Sequence, residues 1–339
     1  MEDVCLEGRW QSRLAGLGWS EESRNLYKHC IAESSLSQYN RYIQQFKTHC
    51  LEQGKIFPPE PTNVEATIAD YMRLKCESSD RPESMLRSIQ AALTHFFMTV
   101  LNLNPFQGAL KHFVTALIKS QTTKPAGRTK IMPIKPIIDM FKSWATNDTL
   151  SIIHLRQKAV TLLAISLMAR PSDLAPANEL KRSQVFFNAD GSLTIQLLGI
   201  KNDYKRRGFE VRIDRASNVQ VDPVICLKTY IDRSAVDMGH IPDPPLFITA
   251  KAPHRALTAS AVSQCLRDTL KAAGISDSFT PRSFRPSAAS AAVSAGCDPD
   301  TARQIYRWKT PEVFYENYVY PVTKDHFTDR IFESNLQLY

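Results

Sequence analysis

The chain has 339 residues, 43 % of them hydrophobic, which is long enough and apolar enough for two domains with their own cores. Its 42 Lys and Arg against 34 Asp and Glu leave a formal net charge of +8, which favours a polyanionic partner; a basic protein without such a partner is the alternative. We find no apolar run long enough to cross a membrane, and the polar, acidic start MEDVCLEGRW is unlike a secretory signal peptide. The seven scattered cysteines favour a reducing compartment over a disulfide scaffold.

The first third of the chain predicts a small all-helical unit. The helix predicted at 34–53 has the clearest pattern, because Leu36, Tyr39, Ile43 and Phe46 recur at helical spacing and Gly54 follows. Further helices are predicted, in chain order, at 9–30, 63–76, 82–101 and 106–120. The predicted first domain is therefore residues 1–120.

A basic stretch, KSQTTKPAGRTKIMPIKP at 119–136, follows this unit. Its cations are Lys119, Lys124, Arg128, Lys130 and Lys135, and it contains no acidic residue. Pro, Gly and Thr predict a linker, placed at 121–134, rather than a helix or strand. The linker is either simply solvated or a strap that lies against a phosphate backbone.

The second predicted domain, residues 135–339, mixes helices with a small sheet. Strands are predicted at 192–200 and 208–214, with KNDYKRR between them as a hairpin tip. Helices are predicted at 135–146, 152–169, 222–236, 258–273, 284–295, 299–307 and 311–319. The fold class predicted for the chain is thus mainly α with a small antiparallel β-sheet.

The sequence lacks the motifs of several common classes of enzyme. The sequence contains no GxxxxGK[ST] phosphate loop, no GxSxG elbow, no HExxH and no CxxC pair. With 12 glycines in the whole chain, little remains for a loop that cradles a nucleotide. The sequence therefore suggests no cofactor and no metal.

Basic side chains stand at three places of the second unit. Arg170 follows an apolar helix in LMARPSDLA, with Asp173 three residues on, and Lys201 lies in the hairpin tip. Arg282 and Arg285 open the small-residue stretch PRSFRPSAASAAVSAG. An arginine keeps its charge and presents a rigid fork of donors that suits carboxylate or phosphate. Each place also has a structural alternative, such as a helix-end ion pair for Arg170 or a solvated Lys201.

The fourth place is the aromatic stretch IYRWKTPEVFYENYVYP. Trp308 opens it, and Tyr315, Tyr318 and Tyr320 follow. Packing in a core is the alternative for each of these side chains.

Taken in chain order, these residues resemble the tyrosine recombinase family, which includes Cre-like recombinases, the Xer proteins and phage integrases. An arginine, a hairpin lysine, RxxR, a tryptophan and then a tyrosine recur in that order over 131–321. The segment at 245–275 also resembles the family's approach to its second arginine, and 34–120 resembles its helical core-binding domain. The closing phrase FYENYVYP is most similar to eukaryotic mobile-element recombinases of the DIRS and Crypton kind.

The resemblance implies roles for five of these residues. Arg170 and Arg285 match the family's two arginines, which would hold the phosphate, and Asp173 matches the acidic companion of the first. Lys201 matches the hairpin lysine, a general acid for the departing oxygen, with Lys205 as the fallback. Trp308 stands where the family has His or Trp.

The implied site also includes a tyrosine nucleophile and one position at which this sequence differs from most of the family. Tyr318, ten residues after Trp308, matches the family's tyrosine; Tyr315 is a rival by spacing and Tyr320 a weaker one. Arg282 departs from the family, because most members have a histidine there. Residues expected to bind the DNA backbone are Lys119, Lys124, Arg128, Lys130, Lys205, Arg206 and Arg207.

The resemblance implies a site-specific recombinase or integrase that cuts and rejoins double-stranded DNA through a 3′-phosphotyrosine. It would act without metal, as a homo-tetramer on two duplexes, in the nucleus of a eukaryote or otherwise in the cytoplasm. Three alternatives remain: a DNA-binding protein derived from a mobile element that no longer cuts, a type IB topoisomerase-like enzyme, and a helical adaptor without activity.

Overall fold

The structure, a computed structural model, describes residues 6–31, 33–79, 82–121, 130–175, 180–198, 208–238, 241–305, 308 and 311–318. Two units of the chain, residues 1–127 and 128–339, make their contacts mainly within themselves. Helices dominate both, and the described part of the second unit contains a three-stranded antiparallel sheet. The predicted fold class is therefore confirmed. None of the described helices is both long and apolar enough to cross a bilayer.

Six α-helices and one short 3-10 helix, Lys28–Cys30, form the described part of the first unit. The α-helices are α1 (Leu6–Gly16), α2 (Glu21–Tyr27), α3 (Glu33–Glu52), α4 (Val64–Glu77), α5 (Pro82–Leu101) and α6 (Gly108–Gln121). Their apolar faces meet in a core rich in aromatic rings, in which Phe46 lies 5.2 Å from Tyr71 and 6.1 Å from Phe97 between ring centroids. α5 packs against α1, α3, α4 and α6 and so organises the unit.

The single helix predicted at 9–30 is wrong, because the chain breaks between α1 and α2. Gly18 has a φ of +77°, its amide donates to the carbonyl of Ala15, and the Trp19 amide donates to that of Leu14. This pair of bonds closes a helix end around a left-handed residue, a conformation that glycine adopts without a steric penalty.

Eight α-helices, three strands and four short 3-10 helices form the described part of the second unit. The helices are α7 (Lys135–Ser143), α8 (Ile152–Ser166), α9 (Pro171–Leu174), α10 (Pro223–Ser234), α11 (Ala259–Ala272), α12 (Phe284–Ser294), α13 (Pro299–Ile305) and α14 (Pro311–Tyr318). The strands are β1 (Val185–Phe187), β2 (Leu193–Leu197) and β3 (Phe209–Ile213). α8 is buried on nearly every side and packs against α10, α11 and α12, so it is the central helix.

The sheet has the order β1-β2-β3, with Phe187 opposite Leu193 and Leu193 opposite Ile213. Leu193 and Ile213 are buried on the face that joins the core, as alternation along a strand requires. β2 and β3 match the two predicted strands, whereas β1 was not predicted. The predicted hairpin tip at 201–207 lies outside the described residues.

Asp222 supports the start of α10 and provides a test of the fold. The carboxylate is fully buried; Oδ1 accepts from the amides of Val224 (2.8 Å) and Ile225 (3.0 Å), and Oδ2 accepts from Arg215 Nε (3.0 Å). We expect Asp222→Ala to lower the free energy of unfolding by roughly 2–3 kcal/mol, since two helix-terminal amides lose their acceptor.

Urea unfolding of the variant and the wild type measures this loss. Asp214→Ala is the control, because Asp214 pairs with Arg212 on the surface and exposed pairs contribute at most about 1 kcal/mol. Equal losses for the two variants would show that the Asp222 cap is not a structural support.

Candidate functional site

The turn that ends α8 brings the first arginine to its place. The amide of Met168 donates to the Ile165 carbonyl (3.1 Å), and the amide of Ala169 donates to that of Ala164 (3.0 Å). Met168 lies in the left-handed region with a φ of +42°. The helix predicted at 152–169 therefore ends at Ser166 instead, and the chain turns so that Arg170 begins a new direction.

Arg170 stands at the start of the short helix α9 and contacts Asp173. Asp173 Oδ2 accepts from the Arg170 amide at 2.8 Å and lies 3.8 Å from Arg170 Nη1. The Arg170 side chain remains 37 % exposed while Asp173 is buried. Asp173 Oδ1 is also buried and accepts no hydrogen bond from the described residues. The carboxylate thus holds the turn through the Arg170 amide and lies within ion-pair distance of a guanidinium that is still open to solvent.

Arg285 lies beside this turn, on the first turn of α12. Its Nη1 donates to the Met168 carbonyl at 2.7 Å, and its Cζ lies 4.0 Å from the centroid of the Trp308 ring. The residue is 8 % exposed. A guanidinium stacked on an indole gains cation–π attraction, and the carbonyl bond fixes its rotation. Arg285 is therefore held rigidly against Met168, which lies two residues before Arg170 in the chain.

The small side chains of α12 allow this close packing. Ala288, Ala289 and Ser287 are buried, and Ser287 Oγ accepts from the Met132 amide at 2.8 Å. That bond ties the described end of the predicted linker to α12. Arg282 lies in the 3-10 turn just before α12 and is exposed.

Trp308 connects Arg285 to α14. Trp308 is 8 % exposed, and its ring lies 4.9 Å from that of fully buried Phe314. Trp308 therefore packs in a buried cluster and also covers Arg285, while its role as a site residue stays a prediction. Tyr318 is the last residue of α14, four positions after Phe314; the structure describes the helix there but not the Tyr318 side chain.

Tyr315 lies in an acidic neighbourhood on α14. Partial desolvation, followed by a hydrogen bond to Asp300 and the charges of Asp300 and Asp298, raises the pKa of its phenol above the usual value. The side chain is 39 % exposed. These surroundings disfavour the phenolate form of Tyr315.

Several predicted site residues cannot be placed in this arrangement. Lys119, at the end of α6, and Lys130 are both exposed, and Lys135 pairs with Asp139 on α7. The other predicted contacts and the general acid lie outside the described residues; these are Lys124, Arg128, Lys201, Lys205, Arg206, Arg207 and the rival Tyr320. Within the described part of the chain, no three His, Cys, Asp or Glu side chains are grouped as metal ligands.

The described geometry brings Arg285, with the Trp308 ring over it, against the turn that leads into Arg170 and Asp173; these four residues are called the cationic corner below. Two arginines held from different helices suit an oxyanion with several oxygens, such as a phosphodiester. Sequence reasoning missed Met168, whose carbonyl joins the two arginine segments. Nothing in LMARPSDLA marks a methionine as left-handed, because tertiary contacts decide that conformation.

Comparison with known proteins identifies the fold. No protein-family model matches the chain, and neither does any curated protein sequence. Its structure is similar to that of a lambda integrase(75–356) dimer bound to a COC′ core site, with 17 % identity, a TM-score of 0.53 and coverage of 90 % of this chain and 92 % of that one.

Two further structures show the same likeness. One is the XerH site-specific recombinase bound to palindromic difH substrate in a post-cleavage complex (TM-score 0.55, 11 % identity, 88 % of this chain and 78 % of that one). The other is the Tn1549 transposon integrase (aa 82–397) in complex with circular intermediate DNA (TM-score 0.51, 12 % identity, 97 % of this chain and 99 % of that one). The chain therefore has the tyrosine recombinase fold.

Proposed function

We propose that this chain is a tyrosine recombinase that cuts and rejoins double-stranded DNA, of the kind that serves eukaryotic mobile elements in integration or transposition. The observation that carries the proposal is the contact of Arg285 with the Met168 carbonyl, at 2.7 Å, under the ring of Trp308. This contact brings Arg285 and Trp308 against the turn that leads into Arg170, and Arg170, Arg285 and Trp308 follow one another in the order typical of that family.

The phosphate is the first partner of this corner. Arg170 and Arg285 would each hold nonbridging oxygens of the scissile phosphodiester through their donor forks. During attack the phosphoryl group spreads extra negative charge over these oxygens, and preorganised cations stabilise that charge more than they stabilise the ground state. Because the arginines supply this charge, the proposed reaction needs no metal and no other cofactor.

The chemical step exchanges one ester for another. The phenol oxygen of Tyr318 attacks phosphorus, its proton leaves to solvent, and the bond from phosphorus to the 5′ oxygen breaks. Lys201 gives a proton to the departing oxygen, which leaves as a 5′-hydroxyl. The 3′-phosphotyrosine that forms keeps the ester bond, so a second 5′-hydroxyl can reverse the step and rejoin a strand.

Binding and assembly are part of the same proposal. Lys119, Lys130 and the basic residues of the hairpin and linker would contact the backbone, which makes affinity depend on salt. Exchange between two duplexes would use four copies of the chain, in the nucleus of a eukaryotic host.

A nicked-duplex trapping assay tests the proposal. The substrates are duplexes taken from the DNA at the two ends of the mobile element that is proposed to carry this gene. Each has a nick next to the expected cleavage position, so the short strand diffuses away after cleavage and the covalent protein–DNA adduct accumulates. We expect a denaturant-resistant adduct, and we expect it to persist in excess chelator. No adduct from the full pool would contradict cleavage, and loss in chelator with recovery by magnesium would contradict the metal-free step.

Arg282 favours a second candidate function, a DNA-binding protein that no longer cuts. It replaces the histidine of most family members, and arginine stays protonated and so cannot act as a base. Salt-sensitive DNA binding without any adduct would support this second function. Relaxation of supercoiled DNA without strand exchange would instead support the topoisomerase-like alternative.

We expect Arg282 to act on the nucleophile through charge in the active enzyme. A nearby cation lowers the pKa of a phenol, whose usual value is about 10, and a fall of one unit raises the phenolate fraction about tenfold at neutral pH. Arg282→Ala should then cut roughly tenfold more slowly at neutral pH and recover part of the loss as pH rises, with Arg282→His in between.

Single-turnover cleavage rates across pH, compared for the three proteins, measure this effect. Wild-type rates for Arg282→Ala at every pH would make Arg282 a bystander. A constant deficit at all pH values would point to phosphate binding instead of activation.

A further inference from the structure

Met168 adopts a conformation that its residue type disfavours. Of the described non-glycine residues, Met168 and Asn102 have positive φ, and Met168 occupies the residue after a helix end where glycine is usual. A side chain in the left-handed region is strained by its own Cβ. Such strain persists only where the surroundings fix it, and it gathers at functional sites.

Two contacts fix Met168 in this turn. Its side chain is buried, 3 % exposed, in a cluster with Ala288, Val293, Trp308 and Phe314. Its carbonyl accepts the hydrogen bond from Arg285 at 2.7 Å. The side chain therefore anchors the turn in the very cluster that holds the Trp308 ring over the same guanidinium.

We infer that Met168 is a positioning residue for Arg285, a role that rests on the proposed function. The buried thioether side chain holds the left-handed turn, the turn aims the carbonyl, and the carbonyl sets the orientation of the guanidinium. The same turn leads into Arg170 two residues later. Met168 therefore influences the position of both arginines proposed to bind the phosphate. Phe314 packs in this cluster too, which links α14 to the arrangement.

Glycine at position 168 separates the contribution of the backbone turn from that of the Met168 side chain. Met168→Gly removes the backbone strain and keeps the carbonyl, but it loses the side chain that anchors the turn. A purely local view of the turn predicts no harm from glycine, whereas positioning by the side chain predicts a loss of activity. Met168→Leu keeps nearly the same volume and should restore most of the function.

The test uses the full chain and the substrate that wild type cleaves in the trapping assay. For Met168→Gly we expect a cleavage rate at saturating DNA at least tenfold below wild type, with DNA affinity within threefold. Met168→Leu should stay within threefold on both. Val293→Ala, which removes volume from the same cluster without touching Arg285, should leave the rate within threefold. Asn102→Gly is the control for glycine at a left-handed position in the first unit.

Equal rate losses for Met168→Gly and Val293→Ala would overturn the inference, and so would an unchanged rate for Met168→Gly. A second readout does not depend on cleavage: the NMR resonance of the Arg285 Nε–H group, assigned through Arg285→Lys, is shifted by the Trp308 ring current. Met168→Gly should lose that shift and Val293→Ala should keep it. If wild type forms no adduct, the proposed function fails, and this resonance alone decides whether Met168 positions Arg285.

Discussion

Tyr318→Phe should abolish the covalent adduct, to below about one thousandth of the wild-type rate, while salt-dependent DNA binding stays nearly intact. The substitution removes only the attacking oxygen, and loss of a nucleophile takes away the step that every later event requires. The backbone of α14 places position 318 on the same helix face as Phe314, which packs against Trp308. Phe314 contacts the Trp308 ring that lies over Arg285.

Tyr315→Phe is the matched control, since it makes the same change one turn earlier on the same helix. The Asp300 hydrogen bond and partial desolvation raise the pKa of the Tyr315 phenol, so we expect its loss to leave adduct formation within about threefold of wild type. Adduct formation by the Tyr318→Phe protein but not by the Tyr315→Phe protein would reverse the assignment. Mass spectrometry of the trapped peptide reads out which tyrosine carries the nucleotide.

The sequence predicts most helices of this fold because their apolar residues recur over several turns. It fails where one residue decides the path. In the predicted helix at 9–30, the left-handed turn at Gly18 separates α1 from α2. β1 has three residues, Val185–Phe187, too few for alternation to show, and it exists because β2 provides a hydrogen-bonding edge.

In the candidate site, too, the sequence predicts some features and not others. Arg170 could be placed from the proline and aspartate that follow it, and Arg285 from its helix. The orientation of Arg285 could not, since it depends on a carbonyl 117 positions earlier in the chain and on the ring of Trp308. Residue type and order thus predict which groups serve the site, whereas tertiary packing sets their geometry.

Arg285→Ala should lower the cleavage rate by roughly 10²–10³, the usual cost of removing one preorganised group that stabilises a transition-state charge. Arg285→Lys should also lose at least tenfold. Lysine keeps the charge but has no planar fork, so it cannot hold two phosphate oxygens, stack flat on Trp308 and donate to Met168 at once. Both losses should fall on the rate at saturating DNA more than on affinity, because many other cations share the binding of the backbone.

Arg156→Lys is the control that separates phosphate chemistry from the structural use of arginine. Arg156 Nη1 donates to the Ile248 carbonyl at 2.8 Å in the same unit, a bond of the same kind as that from Arg285 to Met168. We expect Arg156→Lys to leave the cleavage rate within about threefold even if thermal stability falls, since the bond of Arg156 to the Ile248 carbonyl supports the structure of the unit. If the two lysine variants lost cleavage equally and in proportion to their stability, Arg285 would be a structural residue. A rate loss confined to position 285 places its guanidinium on the phosphate during the reaction.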